Sequence, residues 1–187
     1  MATPECYTTR MARPERYQLP FLFPQRSAVR YEYGFVSRGN AEEGSRFVRK
    51  LREAVEVRGP NDVAHHLLTN VFNPFDAFDQ EELFVLQLNT KNFITHETMV
   101  YRGTVDTVHI RIAEVFKEAI RVNSPSIILS HVHPSGDPEA SQADIRVTED
   151  CFHAGRLLGI EVLDHIVVGR DKWISMKECG LGFQPRN

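Results

Sequence analysis

No run of apolar residues in this sequence is long enough to span a bilayer. The opening stretch, Met1 to Arg16, is polar and charged with no apolar core, so it does not read as a secretory signal. Neither a membrane span nor export is expected. Cysteine is scarce. Cys6, Cys151 and Cys179 are widely spaced, their odd number completes no disulfide framework, and no Cys-x-x-Cys pair suggests a zinc knuckle. A reducing cytoplasm is the expected setting. A basic excess is missing too: the formal net charge is -3, so no global field draws the chain to nucleic acid. There is no Walker loop and no dinucleotide fingerprint, hence no expected nucleotide cofactor. Internal repeats and low-complexity tracts are absent as well. What is present, 42% hydrophobic and 25% charged residues over 187, suits one soluble domain with a possible appendage.

The chain opens on an irregular arm. Over residues 1–40, Pro14, Pro20 and Pro24 punctuate Tyr17, Phe21 and Phe23. Phe47, Leu51 and Val55 recur every four residues, which predicts a helix over Glu42 to Val57, with Gly59-Pro60 as its stop. Asn61-Asp62 then caps a helix carrying Val63, Ala64, Leu67 and Leu68. Leu83 to Leu88 reads as a strand, Asn89 to Asn92 as a turn and Phe93 to Tyr101 as the antiparallel partner. Val108 to Val122 has one apolar face and reads as a helix. Ser126 to His131 is the next strand. Ser141 to Leu158 is a helix closed by Gly159, Val162 to Val168 a strand, and Trp173-Ile174-Ser175 a short last one. The alternation predicts an α/β fold, a mixed sheet flanked by helices.

The most informative stretch is His131-Val132-His133-Pro134, followed by Ser141 and Asp144. Residues two apart on a strand share a side, so both imidazoles face one way. A carboxylate follows a short loop later. Catalytic zinc sites use three protein ligands and keep a position open for water. His131, His133 and Asp144 are therefore candidate zinc ligands. Ser141 and Asp144 also have the spacing of a capping box, and that reading is compatible with ligation.

This pattern resembles the JAMM (JAB/MPN+) metal-protease motif. Lys91-Asn92, Tyr101-Arg102-Gly103-Thr104, Phe116-Lys117-Glu118-Ala119, His131 through Pro138, Leu158-Gly159-Ile160 and Leu163-Asp164-His165-Ile166 are further similar to the bacterial RadC family. The resemblance spans residues 60–180. It implies the layered JAB/MPN (cytidine-deaminase-like) fold over residues 59–187, preceded by the arm and helix of residues 1–58. It also implies Zn2+ as cofactor and hydrolysis of an amide bond in a peptide or protein substrate. Ser141 then takes the role of stabilising the tetrahedral intermediate. A glutamate ahead of the first core strand serves as general base. That role aligns with Glu82, and Glu81 is the alternative one residue away. Asp164-His165 either supports the site from behind or is a histidine satisfied within the sheet. His109 caps its helix or approaches the cleft.

Two other classes compete. A nucleic-acid-associated accessory protein finds support in Arg10, Arg13, Arg16, Arg26 and Arg30 of the arm. A binding module with a structural metal would need a fourth protein ligand. No convincing helix-hairpin-helix segment, which RadC relatives often carry, stands in this sequence. Weak, strongly salt-dependent DNA binding carried by those arginines is the expected outcome. Fluorescence anisotropy across a salt series checks it, and tight duplex binding at physiological salt that survives removal of residues 1–40 overturns it.

Overall fold

The computed structural model describes residues 47–103 and 110–184. The arm with its five arginines, and His109, lie outside the described residues. Six strands, β1 (Phe47–Glu56), β2 (Glu81–Leu88), β3 (Phe93–Gly103), β4 (Ser126–Val132), β5 (Glu161–Val168) and β6 (Trp173–Ser175), form one sheet in the order β1-β3-β2-β4-β5-β6. Three helices, α1 (Pro60–His66), α2 (Ile112–Arg121) and α3 (Gln142–Leu158), complete the fold. All neighbouring strands pair antiparallel except β4 and β5, which run parallel. Parallel neighbours need a long crossover, and α3 supplies it. The architecture is the expected α/β one, a mixed sheet flanked by helices.

Side-chain alternation divides the core. Phe84, Leu86 and Leu88 of β2, with Ile128 and Val132 of β4, pack against Val63, Ala64 and Leu67 of the α1 layer. Leu83 and Val85, with Ile127 and Leu129, meet Val115, Phe116 and Ala119 of α2 and Cys151 of α3. Both central strands are thus buried on two faces, which is why each reads as a near-continuous apolar run. His131 falls two residues after Leu129, on the α2–α3 face, where β4 is about to end.

Two expectations around residue 50 are corrected. No helix forms over the described part of Glu42 to Val57. Residues Phe47–Glu56 are an edge strand paired with β3, irregular between Lys50 and Val55. A spacing of four is close to one helical turn and is also a multiple of two, so the same pattern suits a strand. The open edge of β3 decides between them, because its backbone groups need partners. Gly59-Pro60, read as a stop, is instead the start of α1. Gly59 is the N-cap and Pro60 the first helical residue, a position where proline's missing N–H costs nothing. Asp62 accepts from the Arg58 backbone N–H at 2.8 Å rather than acting as the cap residue.

β5 carries a one-residue irregularity that matters for the site. Ile127 pairs with Val162, but Ile128 pairs with Asp164, so Leu163 is an extra residue on β5. Such a bulge shifts every later side chain to the opposite face. His165 is thereby brought opposite Leu129, on the same side as His131.

α3 closes on Gly159, whose φ of 68° is the left-handed C-cap conformation. One turn earlier, Gly155 lets the helix sit on the start of β5. A Cβ added there would lie 2.4 Å from the Ile160 carbonyl oxygen and 3.0 Å from Val162 Cγ2. Alanine in a helix normally gains about 1 kcal/mol over glycine. Gly155→Ala is expected to do the reverse and destabilise by about 1–3 kcal/mol through overpacking. A urea midpoint that rises would show that the contact is not tight.

Candidate metal centre

The candidate ligands come from two elements that meet at the carboxyl end of β4. His131 is the penultimate residue of that strand and is 3% exposed. His133 is the first residue beyond the strand. Its backbone N–H donates to the Val168 carbonyl at 2.8 Å, which holds it beside β5. Asp144 sits in the first turn of α3 and is 4% exposed. Ser141 is the N-cap. Its hydroxyl accepts from the Asp144 N–H at 3.1 Å and donates to Asp144 Oδ2 at 2.7 Å, and its own backbone N–H donates to the same oxygen at 2.7 Å. The capping box therefore clamps Oδ2 and leaves Oδ1 turned toward His131.

The donor atoms converge. Nε2 of His131 lies 2.9 Å from Nε2 of His133 and 3.2 Å from Asp144 Oδ1, and His133 Nε2 is 3.7 Å from Oδ2. His133 Nδ1 faces the Asp137 carbonyl at 2.8 Å. A carbonyl only accepts, so Nδ1 carries the proton and a neutral His133 presents a bare Nε2. Two imidazole nitrogens and a carboxylate this close are not satisfied by one another. They need a proton or a cation between them. Burial alone would raise the Asp144 carboxyl, but hydrogen bonds with His131, His133 and Ser141 outweigh it and hold it far below the usual carboxylate range. Burial likewise lowers His133, yet its bonds to Asp144 and the Asp137 carbonyl and the nearby charges of Asp144 and Glu81 raise it overall. The site is built to hold positive charge.

A cleft opens beside these ligands, lined by Glu81, Leu83, Tyr101, Ile110, Val147 and His165 together with His131 and Asp144. Strand register explains which glutamate reaches it. Leu83 stands directly opposite His131, and Glu82 opposite Val132. Glu81 shares the face of Leu83 and hence of His131. Glu82, the residue expected from sequence, points to the other face, where Arg102 Nε lies 3.6 Å from its carboxylate. The register thus puts Glu81, and not the expected Glu82, on the cleft side.

A family model described as the RadC-like JAB domain matches residues 57–181. The chain belongs to that family. It is 44% identical over 144 residues to a UPF0758 protein of Chloroflexus aurantiacus, covering 76% of this chain and 61% of that one. It is 47% identical over 131 residues to a UPF0758 protein of Roseiflexus castenholzii, covering 70% and 54%. A UPF0758 protein of Bacillus cereus is 43% identical over 141 residues, 74% of this chain and 60% of the relative. The chain thus spans less than two thirds of the length of these curated relatives.

Within this RadC-like JAB domain the remaining expectations sort clearly. His131, His133 and Asp144 form one group whose donor atoms all lie within 4.8 Å of one another. Among the described residues that group has three members, and a structural zinc site would have a fourth. The spacing fits a small cation. Bonds of about 2.0–2.1 Å in a tetrahedron put donors roughly 3.3 Å apart, and the two contacts of His131 Nε2, 2.9 Å to His133 Nε2 and 3.2 Å to Asp144 Oδ1, lie near that value. His165 stands behind His131, as the supporting reading had it, whereas Asp164 does not touch the ligands. Its carboxylate instead accepts from the backbone of His165 and Lys177 and from Ser175, which fastens β5 to the end of β6 and the segment after it. Cys151 is a core residue whose thiol burial pushes up to about 12, so it is no nucleophile. Thr148 escaped the sequence reading although it lies one helical turn after Asp144. The i, i+4 spacing was the signal available.

Metal content tests the assignment. Purified protein is expected to hold close to one zinc per chain, and His131→Ala/His133→Ala to hold none. Equal zinc in both by elemental analysis would refute the ligand set.

Proposed function

We propose that this domain is a zinc-dependent hydrolase that cleaves an amide bond in a peptide or protein, of peptide or isopeptide type. The observation that carries the reading is the convergence of three lone-pair donors, with no fourth among the described residues, beside a carboxylate that faces the same cleft. Zinc suits two imidazoles and one carboxylate as donors. Bound there, it supplies a Lewis acid and brings water's pKa from 15.7 down to about 7.

The chain's own groups do the rest. Glu81 is the general base: it takes a proton from the attacking water and passes it to the leaving amine, so one carboxylate serves both halves of the reaction. Its negative charge also favours positive charge at His133. Leu83, Tyr101, Ile110 and Val147 wall the cleft with largely apolar surface, which excludes bulk water and strengthens every charge interaction inside. Ser141 has two duties. It clamps Asp144, and it can serve a developing oxyanion if its hydroxyl turns away from Oδ2, because its backbone N–H still holds that oxygen.

Glu81→Gln is expected to lower hydrolysis by about 10²–10⁴-fold, the usual scale of general acid–base assistance, while zinc content stays near wild type. Glu82→Gln is expected to keep most activity, since its carboxylate lies on the far face. A peptide library read by mass spectrometry provides the substrate for the assay. No hydrolysis by the zinc-loaded wild type would remove the hydrolase reading; full activity in both variants would remove the glutamate-base mechanism; loss confined to Glu82→Gln would mean that the register used here is wrong.

A further inference from the structure

Behind the candidate ligands lies a chain of polar contacts whose direction is forced. Thr148 Oγ1 is 2.6 Å from the Asp144 carbonyl oxygen, which has no proton to give. The threonine's single proton therefore goes there. Thr148 Oγ1 is also 2.6 Å from His165 Nδ1, so that nitrogen must be the donor. His165 is 1% exposed and its ring hydrogen-bonds no carboxylate, so a second ring proton would be a buried charge with no hydrogen-bonded anion. Its Nε2 is then a bare acceptor. That atom lies 2.8 Å from His131 Nδ1, which must carry the proton of this contact. A neutral imidazole has only one, so the lone pair of His131 is left on Nε2, the atom that faces His133 and Asp144.

We propose that His165, held in place by Thr148, is a positioning residue that locks His131 in the Nδ1-protonated tautomer and so assigns Nε2 to the metal. The bulge at Leu163 is what makes this possible. Unbulged, β5 would turn the side chain of residue 165 toward α1. Thr148 closes a loop: it grips the carbonyl of one ligand residue, Asp144, and through His165 orients another, His131. The two ligands are thus set by one buried network and not independently. The proposal rests on the metal reading of the site, and its test separates the two.

Long-range ¹H–¹⁵N correlation spectra of the full chain, free of metal and then loaded with zinc, report which nitrogen carries each proton. The expected result in the wild type is a proton on Nδ1 of both His131 and His165, and none on His165 Nε2. A proton on His165 Nε2 overturns the proposal, and this measurement needs no variant. Zinc affinity by competition with a chromophoric chelator adds the second readout. His165→Leu and His165→Asn are expected to weaken zinc about 10–100-fold, the scale seen for groups that support metal ligands. His165→Gln, whose amide oxygen can accept near the Nε2 position, is expected to stay close to wild type, and Thr148→Ser to do the same. Equal affinity in the wild type and His165→Leu overturns the positioning role and leaves the metal reading intact. Equal losses in the Gln and Leu variants also overturn it, since they would reflect packing alone. If wild type binds no zinc, both readings fall.

Discussion

Period-two alternation on three adjacent strands is the constraint on which the site depends. β4 delivers His131 because Ile127 and Leu129, four and two residues earlier, are needed in the α2–α3 core. β2 delivers Glu81 for the same reason, through Leu83 and Val85. Apolar packing fixes the register of both strands, since a slip by one residue would move each side chain to the opposite face and break both cores. The polar residues at the strand ends inherit that register. The chemistry is therefore aimed by the packing of side chains that take no part in it. β5 is the exception that completes the pattern: its bulge restores agreement between its own parity and that of β4 just before His165.

Alternation places the groups, and hydrogen bonding sets their charge. Polar groups this deeply buried are costly unless each has a partner. Asp144 meets that requirement through Ser141 on Oδ2 and His131 on Oδ1. The same capping box that starts α3 orients a ligand, so helix initiation and site formation are one event. The position is also electrostatically apt, as the first turn of a helix favours a negative side chain. On the opposite face another buried pair, His66 with Glu97 at 2.5 Å, ties α1 to β3 and is joined by Arg49. The two clusters use similar residue types for different ends. His66 and Glu97 satisfy each other with Arg49 as a cation of their own, whereas the His131 cluster collects lone pairs and has no resident cation among the described residues.

Much of this was legible in the sequence. The strands β2, β4 and β5 announced themselves as apolar runs, and α3 by its cap at Ser141 and its stop at Gly159. The grouping of His131, His133 and Asp144 was legible from the two-residue spacing of the histidines and the carboxylate a short loop later. The misreadings share a physical origin. Phe47, Leu51 and Val55 fit two periods at once, and only the open edge of β3 selects the strand. Glu81 and Glu82 differ by a single step of alternation. From sequence the strand's first residue is uncertain, while in the structure the pairing of Leu83 with His131 leaves no freedom. Thr148 was hidden for a different reason. A buried threonine in a helix is ordinary, and its role depends on a bulge in a strand thirteen or more residues away, which local pattern does not encode.

That dependence bears on how such a site tolerates change. A ligand's chemistry is visible in one residue, but its tautomer and aim are set by Thr148 on α3 and by His165 with its bulge on β5, two separate elements. Loss of any one leaves three intact candidate ligands and an intact motif, yet releases the proton that decides where the lone pair of His131 points. The motif is thus necessary for a metal centre of this kind without being sufficient. What makes the difference is whether the second strand arrives with the right parity, a property of the sheet and not of the signature.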